Sequence, residues 1–256
     1  MPVSFLDGVP GTVSVYIGPL DGPARYARLP DATHYAASTM KAAVLAALHR
    51  SGADLDAEVP VHNVFASAAG GLFGCDPSYD SDKEVWTRVG GTAPLGWLAE
   101  HMITRSSNLA TNIVLGHVGL DAVGQVWALA GARHSVTSRG IEDHAARTAG
   151  LDNLVTAADL AALFTAIATG ALGPPEPMVD TLLRQERGED LAAGLPSGTR
   201  VAHKNGWVDG VRHGAGVVFP DDAPPYAIAV CTSTDLPDAE ACGLVARVSA
   251  WAWSIR

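Results

Sequence analysis

Residues 38–50 read STMKAAVLAALHR, and the fold turns on how this stretch is placed. Met40, Val44 and Leu48 recur at helical spacing and Ser51-Gly52 follows as a stop, so a helix is predicted over 38–50. Upstream the period changes. Between Thr12 and Gly18, the residues Val13, Val15 and Ile17 take every second position, the mark of a half-buried strand. Leu20-Asp-Gly-Pro makes a turn, and Ala24 to Leu29 returns as the second strand of a hairpin. The helix that opens at Ser38 therefore comes after a β-hairpin.

Downstream the chain is helical with long loops. Leu95, Leu98 and Met102 share a face of a helix over 94–104. A polar break, Arg105-Ser-Ser-Asn108, separates it from a helix expected from Leu109 to Leu115 and ending near Gly116. Another helix is read from Asp121 to Ala130. Thr156-Ala-Ala-Asp159 has the form of a capping box in its acidic variant, ahead of Leu160, Leu163, Phe164 and Ile167, with Gly170 as terminator. Strands return at the end. One is read over 199–203, running into Lys204-Asn-Gly206, and two more over 214–219 and 226–232 flank a Pro/Asp turn. A last helix over 238–253 places Leu244, Val248 and Trp251 on one stripe.

Two strands open the chain and three close it, so the expected class is α+β. A five-stranded antiparallel sheet with flanking terminal helices is predicted, together with a mostly helical lobe. Residues 1–50 and 195–256 are assigned to the sheet subdomain and 51–194 to the helical one, with a site expected in the cleft between them.

The bulk numbers narrow the function. A chain of 256 residues with 48% hydrophobic and 17% charged residues can bury a real core. Its net charge of −10 argues against nucleic-acid or anionic-membrane partners. No run of about 18 apolar residues exists to span a membrane. The start, Met1-Pro-Val-Ser-Phe-Leu-Asp, has no basic or apolar leader character, so a cytoplasmic location is expected. Cys75, Cys231 and Cys242 make neither a disulfide framework nor a zinc pattern, and they are read as buried and inert. No His spacing such as H-E-x-x-H appears, so neither a metal nor a cofactor is expected. Gly70-Gly71 has no following G-K-[ST] and is no phosphate loop. Tyr79 and Trp86 are read as packing residues rather than a gate.

Three short motifs carry the chemistry: Ser38-Thr-Met-Lys41, Ser106-Ser-Asn108 and Lys204-Asn-Gly206. Each alone is weak, because a Ser with Lys three residues on arises by chance about once per few hundred residues. An N-cap serine with a solvated lysine, a capping loop and an edge-strand charge would explain them singly. Their order and setting point further. A serine hydroxyl needs a base beside it to act as a nucleophile. Ser38 and Lys41 share a helix face at i, i+3. Burial and a second ammonium, Lys204, would lower the pKa of Lys41 enough for that work. The backbone N–H groups of Ser38 and Trp207 are candidates to hold an oxyanion.

Taken together, the motifs resemble those of the class A β-lactamase and penicillin-binding-protein superfamily, whose signature is S-x-x-K, S-D-N and K-T-G. The resemblance covers nearly the whole chain, and Ser106-Ser-Asn-Leu-Ala-Thr-Asn112 is similar to the family's S-D-N-x-x-x-N run. It implies that Ser38 is acylated, Lys41 takes its proton and Ser106 passes a proton to the leaving nitrogen. It further implies that Asn108 bonds the substrate amide, and that Lys204, Asn205, Gly206, Trp207 and Arg212 bind a small, carboxylate-bearing substrate. Two departures stand out. Ser107 replaces the usual Asp and Asn205 the usual Thr. Glu142 matches the deacylating Glu, but four residues on stands Ala146 rather than Asn. Arg139 and Asp152 are expected to pair and close that loop. The expected activity is a serine acyl hydrolase acting on a β-lactam, amide or ester. A D-Ala-D-Ala carboxypeptidase-like enzyme, an intracellular esterase or amidase, and a non-hydrolytic penicillin-binding sensor are the alternatives.

Overall fold

Five strands make the main sheet, four of them long, with residues that face two apolar surfaces. They are β1 (Thr12–Pro19), β2 (Tyr26–Arg28), β9 (Arg200–Val208), β10 (Val211–Phe219) and β11 (Tyr226–Ser233). The computed structural model describes residues 4–256; Met1-Pro-Val of the N-terminal reading lies outside them. The sheet order is β2-β1-β11-β10-β9, antiparallel throughout, so the first and last parts of the chain share one sheet. Three small antiparallel pairs complete the strands. They join β3 (His34–Tyr35) to β8 (Leu154–Val155), β4 (Glu58–Pro60) to β7 (Thr92–Pro94), and β5 (Phe65–Ala66) to β6 (Leu72–Phe73).

Helices α1 (Lys41–Ser51), α2 (Lys83–Trp86), α3 (Leu95–Thr104), α4 (Asn108–Val118), α5 (Leu120–Leu129), α6 (His144–Thr148), α7 (Ala157–Ala168) and α8 (Pro175–Leu183) lie between the two groups of strands, and α9 (Asp238–Ser254) ends the chain. On one sheet face Val13, Val15, Ile17, Ile228 and Val230 pack with Leu244, Val245 and Val248 of α9. On the other, small residues such as Ala215, Ala227 and Ala229 join the core of the helical layer, which includes Leu160 and Phe164 of α7. With helices on both faces, β11 is buried at nearly every position.

Several local expectations are corrected. Helix α1 has no polar face: every residue from Lys41 to Leu48 is buried. Its four alanines allow close approach on all sides, so propensity and size, not amphipathicity, suit this segment to the centre. Helix α4 runs past Gly116 to Val118 and stops at Gly119, whose φ of +81° favours glycine. Only half of the expected capping box forms. Thr156 accepts from the Asp159 N–H, but the Asp159 carboxylate accepts from the N–H groups of Arg133, His134 and Ser135. Helices α2, α6 and α8 were not anticipated, because each is short and opens on a polar residue or a proline. Tyr79 is exposed rather than packed. All three cysteines are free and buried.

Candidate active site

Ser38 lies not in an α-helix but in a 3-10 turn, Ala37–Met40, that leads into α1. In a 3-10 turn residues i and i+3 eclipse one another, so Ser38 and Lys41, the first residue of α1, fall on one edge. The turn is reached through Ala37 at φ +46°, an uncommon conformation for a residue with a Cβ. Such geometry persists only when its surroundings enforce it. Here the Ala36 N–H donates to the Asn153 carbonyl, and Thr39 Oγ1 donates back to the Ala36 carbonyl at 2.6 Å. Strand β9 presses on the same turn: a Cβ on Gly206 would lie 2.8 Å from the Ser38 nitrogen and 3.0 Å from that of Thr39. Glycine at 206 is thus what lets β9 bring the amide of Ser38 close to Trp207, the other expected oxyanion donor.

Lys41 is wholly buried, and its ammonium has four acceptors. Nζ donates to the Ser106 carbonyl (2.8 Å), Asn108 Oδ1 (3.0 Å), Ser106 Oγ (3.3 Å) and the Ser107 carbonyl (3.4 Å). Among the described residues no hydrogen bond joins it to the Ser38 hydroxyl. Burial lowers its pKa to about 8, opposed by the charges of Asp80, Cys75 and Glu142.

The second motif is held as tightly as the first. Ser106 has φ +61°, which turns its hydroxyl and carbonyl toward Lys41. Ser107 caps α4 by accepting from the Ala110 N–H. Asn108 bridges outward, its Nδ2 donating to Glu142 Oε1 at 3.3 Å. A segment that sequence reasoning missed, Asp80-Ser-Asp82, docks on this turn. Asp80 accepts from Ser107 Oγ (3.2 Å), the Leu109 N–H (2.9 Å) and Trp86 Nε1 (2.9 Å). Ser81 Oγ donates to the Arg105 carbonyl at 2.6 Å, and Asp82 accepts from His101 Nδ1. The available signal was the missing motif acid at position 107, which asks where a replacement comes from.

Glu142 does reach this cluster. Its backbone has φ +66°, and its second carboxylate oxygen accepts from the Asp76 N–H at 2.8 Å. The loop that carries it is clamped by Asn112, which donates to the Ile141 carbonyl (2.9 Å) and accepts from the Ile141 N–H (2.8 Å). Arg139 and Asp152 pair as expected, at 2.6 Å. Ala146 is buried in α6 and has no side-chain group to bond Glu142, so Asp76 and Asn108 hold the carboxylate instead.

The third motif lies inside β9, where Asn205 pairs with Gly214 and Trp207 with Arg212. Lys204 is wholly buried, and among the described residues its Nζ donates only to its neighbour Asn205, at the carbonyl and Oδ1 (both 3.1 Å). Burial, and next the charge of Lys41, hold its pKa well below the ordinary lysine value. The expected coupling of the two lysines therefore falls on Lys204. Asn205 donates to buried Asp190 at 3.2 Å. Arg212 is also buried, and its guanidinium pairs with Glu189 (3.0 Å), Asp190 (3.1 Å) and Asp238 (3.2 Å) while lying over the Trp207 ring. All of these partners are acids of the chain itself. A cavity of about 550 Å³ lies elsewhere, lined by Val59, Phe65, Phe73, Ile113 and Leu120; Asn112 and Gly140 also line it.

A serine turn, two buried lysines and a serine-asparagine turn, set where an antiparallel sheet meets a helical layer, define a β-lactamase-like serine site. The chain belongs to the Beta-lactamase enzyme family, whose model matches residues 4–255. That membership supports a serine hydrolase of β-lactamase type. Similar solved structures include PBP-A, at 23% identity and a TM-score of 0.83, covering 98% of this chain and 92% of that one. A class A β-lactamase from Mycobacterium abscessus matches at 18% identity and a TM-score of 0.82, covering 98% and 96%. A β-lactamase from Sphaerobacter thermophilus DSM 20745 matches at 23% and 0.77, covering 99% and 96%. At these identities the likeness is one of fold. Among curated proteins none is significantly similar. No helix among the described residues is long and apolar enough to cross a membrane.

Proposed function

We propose that this protein is a serine acyl hydrolase that opens a β-lactam, amide or ester through an acyl-enzyme on Ser38. The observation that carries the reading is Lys41: buried beside the serine turn, titrating near 8, and bonded to both Ser106 and Asn108. In the proposed step neutral Lys41 takes the Ser38 proton while Ser38 Oγ attacks the carbonyl carbon. The oxyanion is held by the N–H groups of Ser38 and Trp207. The proton then passes from Lys41 through Ser106 to the leaving nitrogen or oxygen as the C–N or C–O bond breaks. Asn108 orients the substrate amide. Lys204 sets the local potential, and Gly206 keeps β9 close to the serine. Glu142 is the base proposed for the water that cleaves the ester. A substrate carboxylate is not a requirement of this arrangement, since Arg212 and Asn205 are engaged by Asp190.

One observation favours a second reading, a slowly released acyl-enzyme of the penicillin-binding type. Both oxygens of Glu142 are already engaged, by Asn108 and by the Asp76 N–H, which leaves it a constrained base. Intact mass spectrometry with a β-lactam and with an activated ester separates the two. Hydrolysis without a lasting adduct is the expected result, and a persistent adduct on Ser38 moves the assignment to the second reading. Full hydrolysis by Ser38→Ala would overturn both.

A further inference from the structure

We propose that Asp80 is the positioning acid of the second motif, carried on a segment 27 residues away from the serine it serves. This rests on the proposed roles of Lys41 and Ser106. Position 107 holds a serine, and its hydroxyl donates to Asp80 at 3.2 Å. The acid that position 107 lacks thus faces it across this contact. The carboxylate is buried, and a single oxygen, Oδ2, takes bonds from Ser107, from the Leu109 N–H and from Trp86, while Oδ1 takes the Asp82 N–H at 3.1 Å. It therefore ties the first turn of α4 to α2 across the strained Ser106.

Its charge also acts on Lys41. The groups that bear on that ammonium are Asp80, Cys75 and Glu142, which hold its proton; the coupling with Lys204 on β9 falls on Lys204, whose pKa the charge of Lys41 lowers. Asp80 and Glu142 approach from different loops and have different partners, so they are separable by mutation. Asp80 touches no substrate in this arrangement; it acts by fixing Ser106 and by keeping Lys41 protonated to a higher pH.

The test is a titration of the Lys41 ε-carbon by NMR in the full chain, its signal assigned by its loss in Lys41→Met. Asp80→Asn is expected to lower the Lys41 pKa by about one unit, and adding Ser107→Asp to restore it, since the charge returns to the other side of the same contact. The pH dependence of acylation by a fluorescent penicillin and by a p-nitrophenyl ester is measured in parallel, and its acid limb should move with the titration. An unchanged Lys41 pKa in Asp80→Asn overturns the proposal. If Asp80→Asn alone fails to fold, a double variant with native melting and a native Lys41 pKa supports it, and a double variant equally unfolded overturns it. If the titration shifts as expected but wild type is acylated by neither probe, the hydrolase reading fails and the placement of Asp80 stands.

Discussion

Two lysines are buried in this site, and their surroundings differ. Lys41 has four acceptors on the second motif and the charges of Asp80 and Glu142 nearby. Lys204 has two acceptors, both on Asn205, and the closest acid, Asp190, already pairs with Arg212. Burial penalises both ammonium ions; the nearby acids offset it in part at Lys41, while the charge of Lys41 adds to it at Lys204. One buried lysine is thus bonded across the second motif and the other to its own neighbour in β9.

Substitution should separate them. Lys41→Met is expected to slow acylation of Ser38 by about a thousandfold or more, and Lys204→Met by roughly ten- to a hundredfold, as read by stopped-flow trapping of the adduct. Equal losses would break the distinction. The next effect concerns the acids around Lys204. Arg212→Ala leaves Asp190 buried without its cation, so urea unfolding should show a loss of about 3–5 kcal/mol. A variant of native stability with only a raised KM would return Arg212 to substrate binding.

The pH dependence sharpens the comparison further. A lysine can serve as a base only when neutral, and burial holds the pKa of Lys41 near 8, below the ordinary 10.5. Acylation should therefore level off above about pH 8 and fall roughly tenfold per unit below it. A limb near 10 would mean that Lys41 is not held as described. The smallest effect is on stability. Lys204→Met removes a poorly compensated buried amine and should raise stability by about 1 kcal/mol, with little change for Lys41→Met. Thermal melting of the two variants side by side checks the order.

Much of this was legible in the sequence because it is local. Val13, Val15 and Ile17 announce a strand by their period, and Ser38 and Lys41 are brought together by a single turn. The order of the motifs suggested one site for Ser106, Asn108 and Lys204; Ser106 and Asn108 bond Lys41, and the charge of Lys41 reaches Lys204. The all-round burial of α1 was missed because alanine carries little hydropathy signal yet packs against any neighbour. The half-formed capping box at Thr156 was misread because the Asp159 carboxylate has nonlocal N–H groups to accept from, at Arg133 to Ser135.

The sequence by itself determined the α+β class, the antiparallel sheet built from both chain ends, and the pairing of Ser38 with Lys41 across one turn. These follow from periodicity and from spacings of a few residues, which fix the relative direction of side chains. Only the tertiary structure decided which acid serves the second motif, which groups engage Arg212 and how Glu142 reaches Asn108. Those contacts join residues 27, 22 and 34 positions apart, brought together by packing. A buried charge takes the partner that the folded chain brings within reach, and no local pattern records which one that is.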